Sequence, residues 1–554
     1  MSHSESLRSI FVDRWHPVAW LTIVILALYS PSVLFEFCYL DDYHLVEQNA
    51  DFLSDLSNLP RLFSENTFVL QNRSRAYYRP LLFVSFMLDA QIFGTSAGGY
   101  HLHNVLLHVV VSVLFFALLR KLKIEPAPAL AWTMLYATHP VLTRTVAWIP
   151  GRCDLLLSVF LLVSLMGFIM YTRTKSKAAY IIHLVMLTLA LFTKETAVFL
   201  IPLCVAYLGF LNSNEGNLVS RPKTPSQLNL GANSKLIAAI RGTLWIEWGI
   251  IVLAWIAIRT SVLGEVSAQV SPIAIARSVW EALPGLIQMY GKALIPLDLS
   301  PLPLQQDSSC LWGVLAVLLT VAFFWTHEKT QNNVSAWGFS WFVVFLVPVF
   351  LRPMNETSRD LTLMEHRLGL PLMGLLIAWS ASNGTRLISR FPKSAFGLWL
   401  GVFSLFVLQS RTRAAEFHDP LAFWQTAVKT SPHSVFAHKN LGVIYYILGH
   451  PRLAEAHYRR ALELRPGELY VHNNLGLVYM DQGLLAEAER EFKQEIEQHP
   501  GYEKPYFNMA RLYCMQGRHA EAAYWLNRGV QARSRSSGTV PLFDTLKPDW
   551  LEQQ

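Results

Sequence analysis

Two adjacent carboxylates, Asp41 and Asp42, follow the first apolar run in FEFCYLDDYHLVEQ, where an acid could take a proton from a hydroxyl. Cations suited to an anionic group come later. They are Arg79 in YYRPL, Arg144 and Arg152 in HPVLTRTVAWIPGRCDLL, Lys194 beside Glu195 in LFTKETAV, and Arg367 with Glu365 and His366 in EHRLGLP. Arginine offers a two-pronged fork to phosphate and lysine a point charge. Tyr78, His103 and His139 lie in the same stretches as supporting groups. An acid poised for proton transfer, with cations for a leaving phosphate, matches a lipid phosphate held at headgroup level beside a general base.

Singly, each group has a plainer role. An acidic pair after an apolar helix is ordinarily a solvated loop or an N-cap. Arg144 and Arg152 could snorkel to the interface beside Trp148. His103 and His108 stand five apart, which suits capping or packing better than chelation. The five cysteines show no CxxC spacing, and no Asp-x-Asp nucleotide-sugar signature accompanies the acids. Neither a metal nor another cofactor is expected.

The elements that must position these groups are membrane helices. The chain has 554 residues, 52% hydrophobic and only 15% charged, which fits a polytopic, all-α membrane bundle with a polar appendage better than a globular enzyme. Its net charge of +7 sits in short connectors, so it reads as topology and not as a nucleic-acid footprint. Runs near 17–37, 100–120, 127–145, 154–171, 178–194, 196–211, 243–263, 311–326, 336–351, 369–382 and 394–411 suggest about 11 crossings. The first is read as an uncleaved signal anchor. Basic connectors such as Arg120/Lys121/Lys123 and Arg173/Lys175/Lys177 place the N-terminus in the cytoplasm, and an odd count puts everything after 411 outside. Stretches 79–93 and 279–297 are read as interfacial or re-entrant helices. Short cytoplasmic loops favour a bacterial inner membrane, or the endoplasmic reticulum in a eukaryote. The triplets at 72–74 and 355–357 would be outward-facing sequons.

Beyond the bundle, Pro432, Pro466 and Pro500 recur every 34 residues, as do Gly449, Gly483 and Gly517. That period denotes helix-turn-helix tetratricopeptide repeats stacked as an α-solenoid. The expected domains are a membrane unit at 1–411, a connector helix at 412–431, three extracytoplasmic repeats at 432–535 and a tail at 536–554. Asn440, His472, Asn474 and Asn508 form a polar row on the inner helices, the face on which a protein or peptide acceptor would lie.

The order of these motifs resembles the transmembrane and tetratricopeptide-repeat O-mannosyltransferases, relatives of the dolichyl-phosphate-mannose protein mannosyltransferases within the GT-C class. The likeness departs at the late motif, where His366-Arg367-Leu368-Gly369-Leu370-Pro371 replaces a tyrosine-rich form. The resemblance implies a GT-C-like bundle that moves a hexose, mannose in the family, from a polyprenyl-phosphate carrier to Ser/Thr hydroxyls with inversion. Asp41 or Asp42 would be the base and Arg79, Arg144, Arg152, Lys194 and Arg367 the donor ligands. Two rivals remain: a non-catalytic scaffold with peptide-binding repeats, and a transferase acting on a glycan or lipid. The expected partners are membrane lipid, the lipid-linked sugar and the acceptor.

Overall fold

In hydrocarbon a peptide group has no partner but the chain itself, so the apolar runs must close their hydrogen bonds within helices. The computed structural model describes residues 15–65, 77–210, 230–263, 272–325, 333–350, 363–381 and 392–535, and every regular element among them is helical. Both sequon triplets and the 536–554 tail lie outside the described residues. The apolar part contains α1 (His16–Tyr29), α2 (Pro80–Phe93), α3 (Ala97–Lys121), α4 (Pro126–Ala137), α5 (Arg152–Thr174), α6 (Lys177–Thr193) and α7 (Leu200–Phe210). It continues with α8 (Leu230–Leu263), α9 (Pro272–Leu294), α10 (Leu311–Trp325), α11 (Asn333–Leu346), α12 (Gly369–Ser380) and α13 (Pro392–Ala415).

Five stretches are long and apolar enough to cross a membrane: His16–Leu34, Ala97–Lys121, Ile149–Thr174, Leu244–Leu263 and Pro392–Ala415. Five shorter apolar helices accompany them. Two expected crossings take another form. The 127–145 run breaks after α4, because Pro140 has no N–H to donate and biases His139 toward extended backbone. The chain there makes a 3-10 turn, Pro140–Leu142, and a short helix, Thr143–Ala147, on its way to Trp148. The 369–382 run forms the 12-residue α12, about 18 Å long at 1.5 Å per residue and so short of a hydrocarbon core about 30 Å thick. Stretch 79–93 is α2. Stretch 279–297 falls largely within α9, which turns Gln288 and Lys292 inward.

Helices α11 and α12 cross at two glycines. A Cβ on Gly338 would stand 2.5 Å from Ala378 N, and one on Gly374 would stand 2.7 Å from Phe342 N. Small residues of this kind let backbones meet where lipid supplies no hydrophobic drive between helices.

After α13, which runs a few residues beyond the expected limit, come α14 (Pro420–Thr430) and three helix pairs. These are α15 (Val435–Ile447) with α16 (Pro451–Leu464), α17 (Val471–Asp481) with α18 (Leu485–Gln498), and α19 (Lys504–Met515) with α20 (His519–Arg535). Gly449, Gly483 and Gly517 follow the inner helices with φ of +74°, +75° and +72°, a conformation that glycine adopts without a Cβ penalty. The repeats are rooted on the bundle through one apolar cluster that includes Phe35, Leu40, Trp148, Leu302, Met364 and Trp424.

One repeat contact is sensitive to acid. His438 Nε2 lies 3.1 Å from the Pro432 carbonyl and so donates to it, which leaves Nδ1 to accept from His457 Nδ1–H at 3.0 Å. Burial lowers both imidazoles, with His457 brought down to about 4. Because the folded values lie below the ordinary one, this contribution to stability is present above about pH 6.5 and lost as the pH falls toward 4. Thirty-four residues on, Glu491 stands where His457 does and meets His472 at 2.6 Å, so the second repeat has no such pair of imidazoles. Acidification from pH 7.5 to 4.5 should therefore lower the amide protection factors of α15 and α16, taken relative to the intrinsic exchange rate at each pH, by about tenfold, one pKa unit's worth after solvent screening is discounted, and spare those of α17 and α18. An equal loss of protection in both pairs would contradict this.

Candidate active site

The first loop leaves the 3-10 turn Ser30–Leu34 and is tied to the root of the repeats by Glu36 N–H, which donates to the His418 carbonyl at 2.9 Å. The two carboxylates behave differently. Asp42 is buried and turned back into its own loop, where its oxygens accept N–H groups from Cys38 at 2.7 Å, Tyr43 at 3.1 Å and Leu40 at 3.2 Å. Burial pushes its carboxyl up from the ordinary range, and those donors pull it back. Asp41 is half-buried and acts electrostatically on Arg144, as does Glu365. Asp41 is thus the carboxylate of the pair whose charge acts on Arg144.

Four of the five expected cations converge on His366. Burial, then the charges of Arg144, Lys194, Arg367 and Arg79, hold this imidazole well below its ordinary range, so it is neutral. Its Nδ1 is closed to solvent with no hydrogen-bond partner among the described residues, and its ring packs 5.7 Å from that of Trp148. Arg144 lies over the same Trp148 ring at 4.6 Å, donates Nη1–H to the Pro301 carbonyl and leaves Nε unpaired. Lys194 meets Asp154 at 2.6 Å, and Arg79 meets Glu195 at 3.2 Å, both at partly exposed sites. Local breaks in the helices deliver these groups. Arg144 follows the His139-Pro140 turn, Lys194 is the extended residue after α6, and His366 and Arg367 lie in the 3-10 turn Glu365–Leu368. Four cations acting on one neutral imidazole, with an acid near, suit the binding of a phosphate.

Arg152, expected among the donor ligands, is instead committed to the interior. It is fully buried in an ion pair with Asp89, and it donates to Asn104 Oδ1 at 2.8 Å and to the Tyr100 carbonyl at 2.7 Å. The physical reason is Asp89, the charge that interrupts α2: a buried carboxylate needs a buried cation. His103 shares that carboxylate at 2.6 Å. Tyr78 donates to the Phe63 carbonyl at 2.9 Å, and His139 accepts from Val141 N–H at 3.3 Å, so both brace local backbone.

Glu365 is fully buried. Its Oε1 accepts from Ser300 N–H at 2.8 Å and Lys292 Nζ at 3.2 Å, and its Oε2 from Arg413 at 2.7 Å. Sequence reasoning missed Lys292, Ser300, Pro301 and Arg413 as parts of this site. Lys292 carried a signal, being a charge in an apolar helix, whereas Arg413 looks like an ordinary interfacial anchor at the end of a span.

On the repeats, Asn474 accepts from Asn473 Nδ2–H at 3.2 Å and Asn508 donates to Asn473 Oδ1 at 2.7 Å, so these two share a polar row. His472 is buried against Glu491. Asn440, expected in the same row, is instead fully buried, with no hydrogen bond to either amide atom among the described residues.

Residues 80–224 match the family model described as dolichyl-phosphate-mannose-protein mannosyltransferase, and residues 435–468 and 473–537 match tetratricopeptide-repeat models. The chain is 34% identical over 156 residues to Protein O-mannosyl-transferase TMTC2 of Mus musculus, a match covering 28% of this chain and 18% of that protein. It is 30% identical over 197 residues to TMTC3 of Homo sapiens, with 34% and 21% covered. It is 32% identical over 179 residues to Tmtc1 of Drosophila melanogaster, with 32% and 21% covered. The matched segment therefore spans no more than 21% of the length of these relatives. The chain thus joins a segment similar to dolichyl-phosphate-mannose-protein mannosyltransferases to tetratricopeptide repeats, and the first of these is also similar in sequence to the TMTC proteins.

Proposed function

We propose that the chain is a multi-pass membrane glycosyltransferase that moves a mannose from a polyprenyl-phosphate carrier to Ser or Thr hydroxyls of a protein. The observation that carries this reading is the gathering of Arg79, Arg144, Lys194 and Arg367 around His366, with Asp41 acting on Arg144. The relatives' names, Protein O-mannosyl-transferase, support it. The donor phosphate lies among the four cations. Asp41 takes the hydroxyl proton as the oxygen attacks the anomeric carbon, the C–O bond to phosphate breaks, and the configuration inverts. The four cations and the neutral His366 stabilise charge on the departing phosphate. No cofactor is required. The N-terminus is cytoplasmic and the site and repeats are extracytoplasmic. Asn474 and Asn508 contact the acceptor.

The test uses membranes containing the full chain, polyprenyl-phosphate mannose and a Ser/Thr-rich peptide, with the peptide read by intact mass. A gain of one hexose is expected, and Arg144→Gln should lower its rate by about a hundredfold, the scale of removing one stabilising donor. A scaffold would give no gain at all. A transferase for a glycan or lipid would label those acceptors and leave the peptide untouched.

A further inference from the structure

The pairing of Asp41 with Asp42 carries a second assignment. The Asp42 carboxylate is surrounded by donors from one short stretch of backbone. Oδ2 accepts Cys38 N–H at 2.7 Å and the Cys38 thiol at 3.2 Å, and Oδ1 accepts Tyr43 N–H at 3.1 Å and Leu40 N–H at 3.2 Å. Inside that ring of bonds lies Tyr39, a non-glycine residue at φ +54°. Bulky L-residues rarely adopt this conformation and keep it only where their surroundings over-determine it. The bonds from Cys38, Leu40 and Tyr43 bracket residue 39 on both sides.

We infer that Asp42 is a positioning residue: its carboxylate clamps the 38–43 turn, holds Tyr39 in its left-handed conformation, and so sets the neighbouring Asp41 toward Arg144. This rests on the reading of Asp41 as the base. The two acids then divide the work. One side chain acts on Arg144 and exchanges a proton, while the other is spent on backbone amides and stays out of the reaction. An aspartate is needed at 42 because four donors require both oxygens of an ionised carboxylate. An asparagine of the same shape offers one oxygen and turns an NH2 toward N–H and S–H groups. Tyr39 also packs its ring against that of Tyr43, 4.7 Å between centroids at 68°, so loss of the clamp frees an aromatic pair as well as the acid.

The decisive measurement does not need turnover. Amide hydrogen exchange is followed by mass spectrometry over residues 36–46 in the full-length protein in lipid nanodiscs, for the wild type, D41N and D42N. D42N should exchange at least about tenfold faster at Cys38, Leu40 and Tyr43, with α3 unchanged as a control for folding, and D41N should match the wild type. A D42N protein that keeps wild-type protection overturns the clamp, whether or not the chain is a mannosyltransferase. Where transfer is measurable, D42N should lose about ten- to a hundredfold in kcat and keep the acid limb of the pH profile, as expected for a misplaced base. D41N should lower transfer by about a thousandfold. If D42N removes the acid limb while D41N stays active, Asp42 is itself the base and the assignment falls. Failure of the wild type to transfer any sugar would count against the proposed function alone, because the exchange data would still decide the clamp.

Discussion

Asp41→Asn should reduce hexose transfer to a Ser/Thr peptide by about a thousandfold, within the hundred- to ten-thousandfold range of a lost general base. The substitution keeps the shape of the side chain and removes its capacity to accept a proton. Donor affinity should change little, since the phosphate is held by Arg79, Arg144, Lys194 and Arg367 around His366 and not by the acid. The expected pattern is therefore a collapse of kcat with a near-constant KM for the lipid donor, the signature of an interaction made in the transition state. Binding is checked by thermal shift with the lipid phosphate, and transfer by intact mass. Near-wild-type transfer by D41N would remove Asp41 from the mechanism and reopen the choice of base.

Glu365→Ala should be the most destabilising single change in the site, costing about 3–5 kcal/mol, the usual result of removing one partner from a buried ionic group. Lys292 and Arg413 would be left charged at positions nearly closed to solvent, 3% and 7% exposed. The Ser300 amide would lose its acceptor as well. The damage should spread to the repeats. Arg413 ends the last apolar helix, while Ser300 shares a hydrogen bond of 2.7 Å with Thr430, and Ser431 donates to the Leu302 carbonyl at 2.7 Å. A detergent-solubilised E365A protein should melt well below the wild type, and its repeats should become protease-sensitive together with the bundle. Replacing Lys292, Glu365 and Arg413 together by apolar residues of similar volume should be milder than E365A, because only the partly exposed Glu416, 3.7 Å from Arg413, then loses a partner. An unchanged melting temperature for E365A would show that the three groups are not coupled as their distances indicate.

Much of the architecture is legible without coordinates because it depends on local patterns. Long apolar runs can satisfy their peptide groups only as helices, and a 34-residue period can bury its faces only by stacking. The ionisable inventory was equally plain: a charge in an apolar setting is costly and attracts notice. The termination of 127–145 at Ala137 was partly visible in His139-Pro140, where proline interrupts the run.

Tertiary structure decided which of these groups meet. Arg144 and Arg152 lie in one motif and look interchangeable on paper, yet one faces His366 and the other neutralises Asp89. Turns at Thr143–Ala147 and Ile149–Gly151 redirect the chain between them, and no spacing rule encodes a loop path. Asp41 and Asp42 are adjacent and chemically identical, and only the curl of backbone around residue 39 turns one inward to the amides and leaves the other to act on Arg144. Asn440 and Asn474 hold equivalent repeat positions, but the first is fully buried and the second remains in the polar row. Composition and periodicity determined the kinds of helix and the cast of charged residues. The division of labour among those residues came from long-range packing, because burial and partnership depend on neighbours that are distant in the chain.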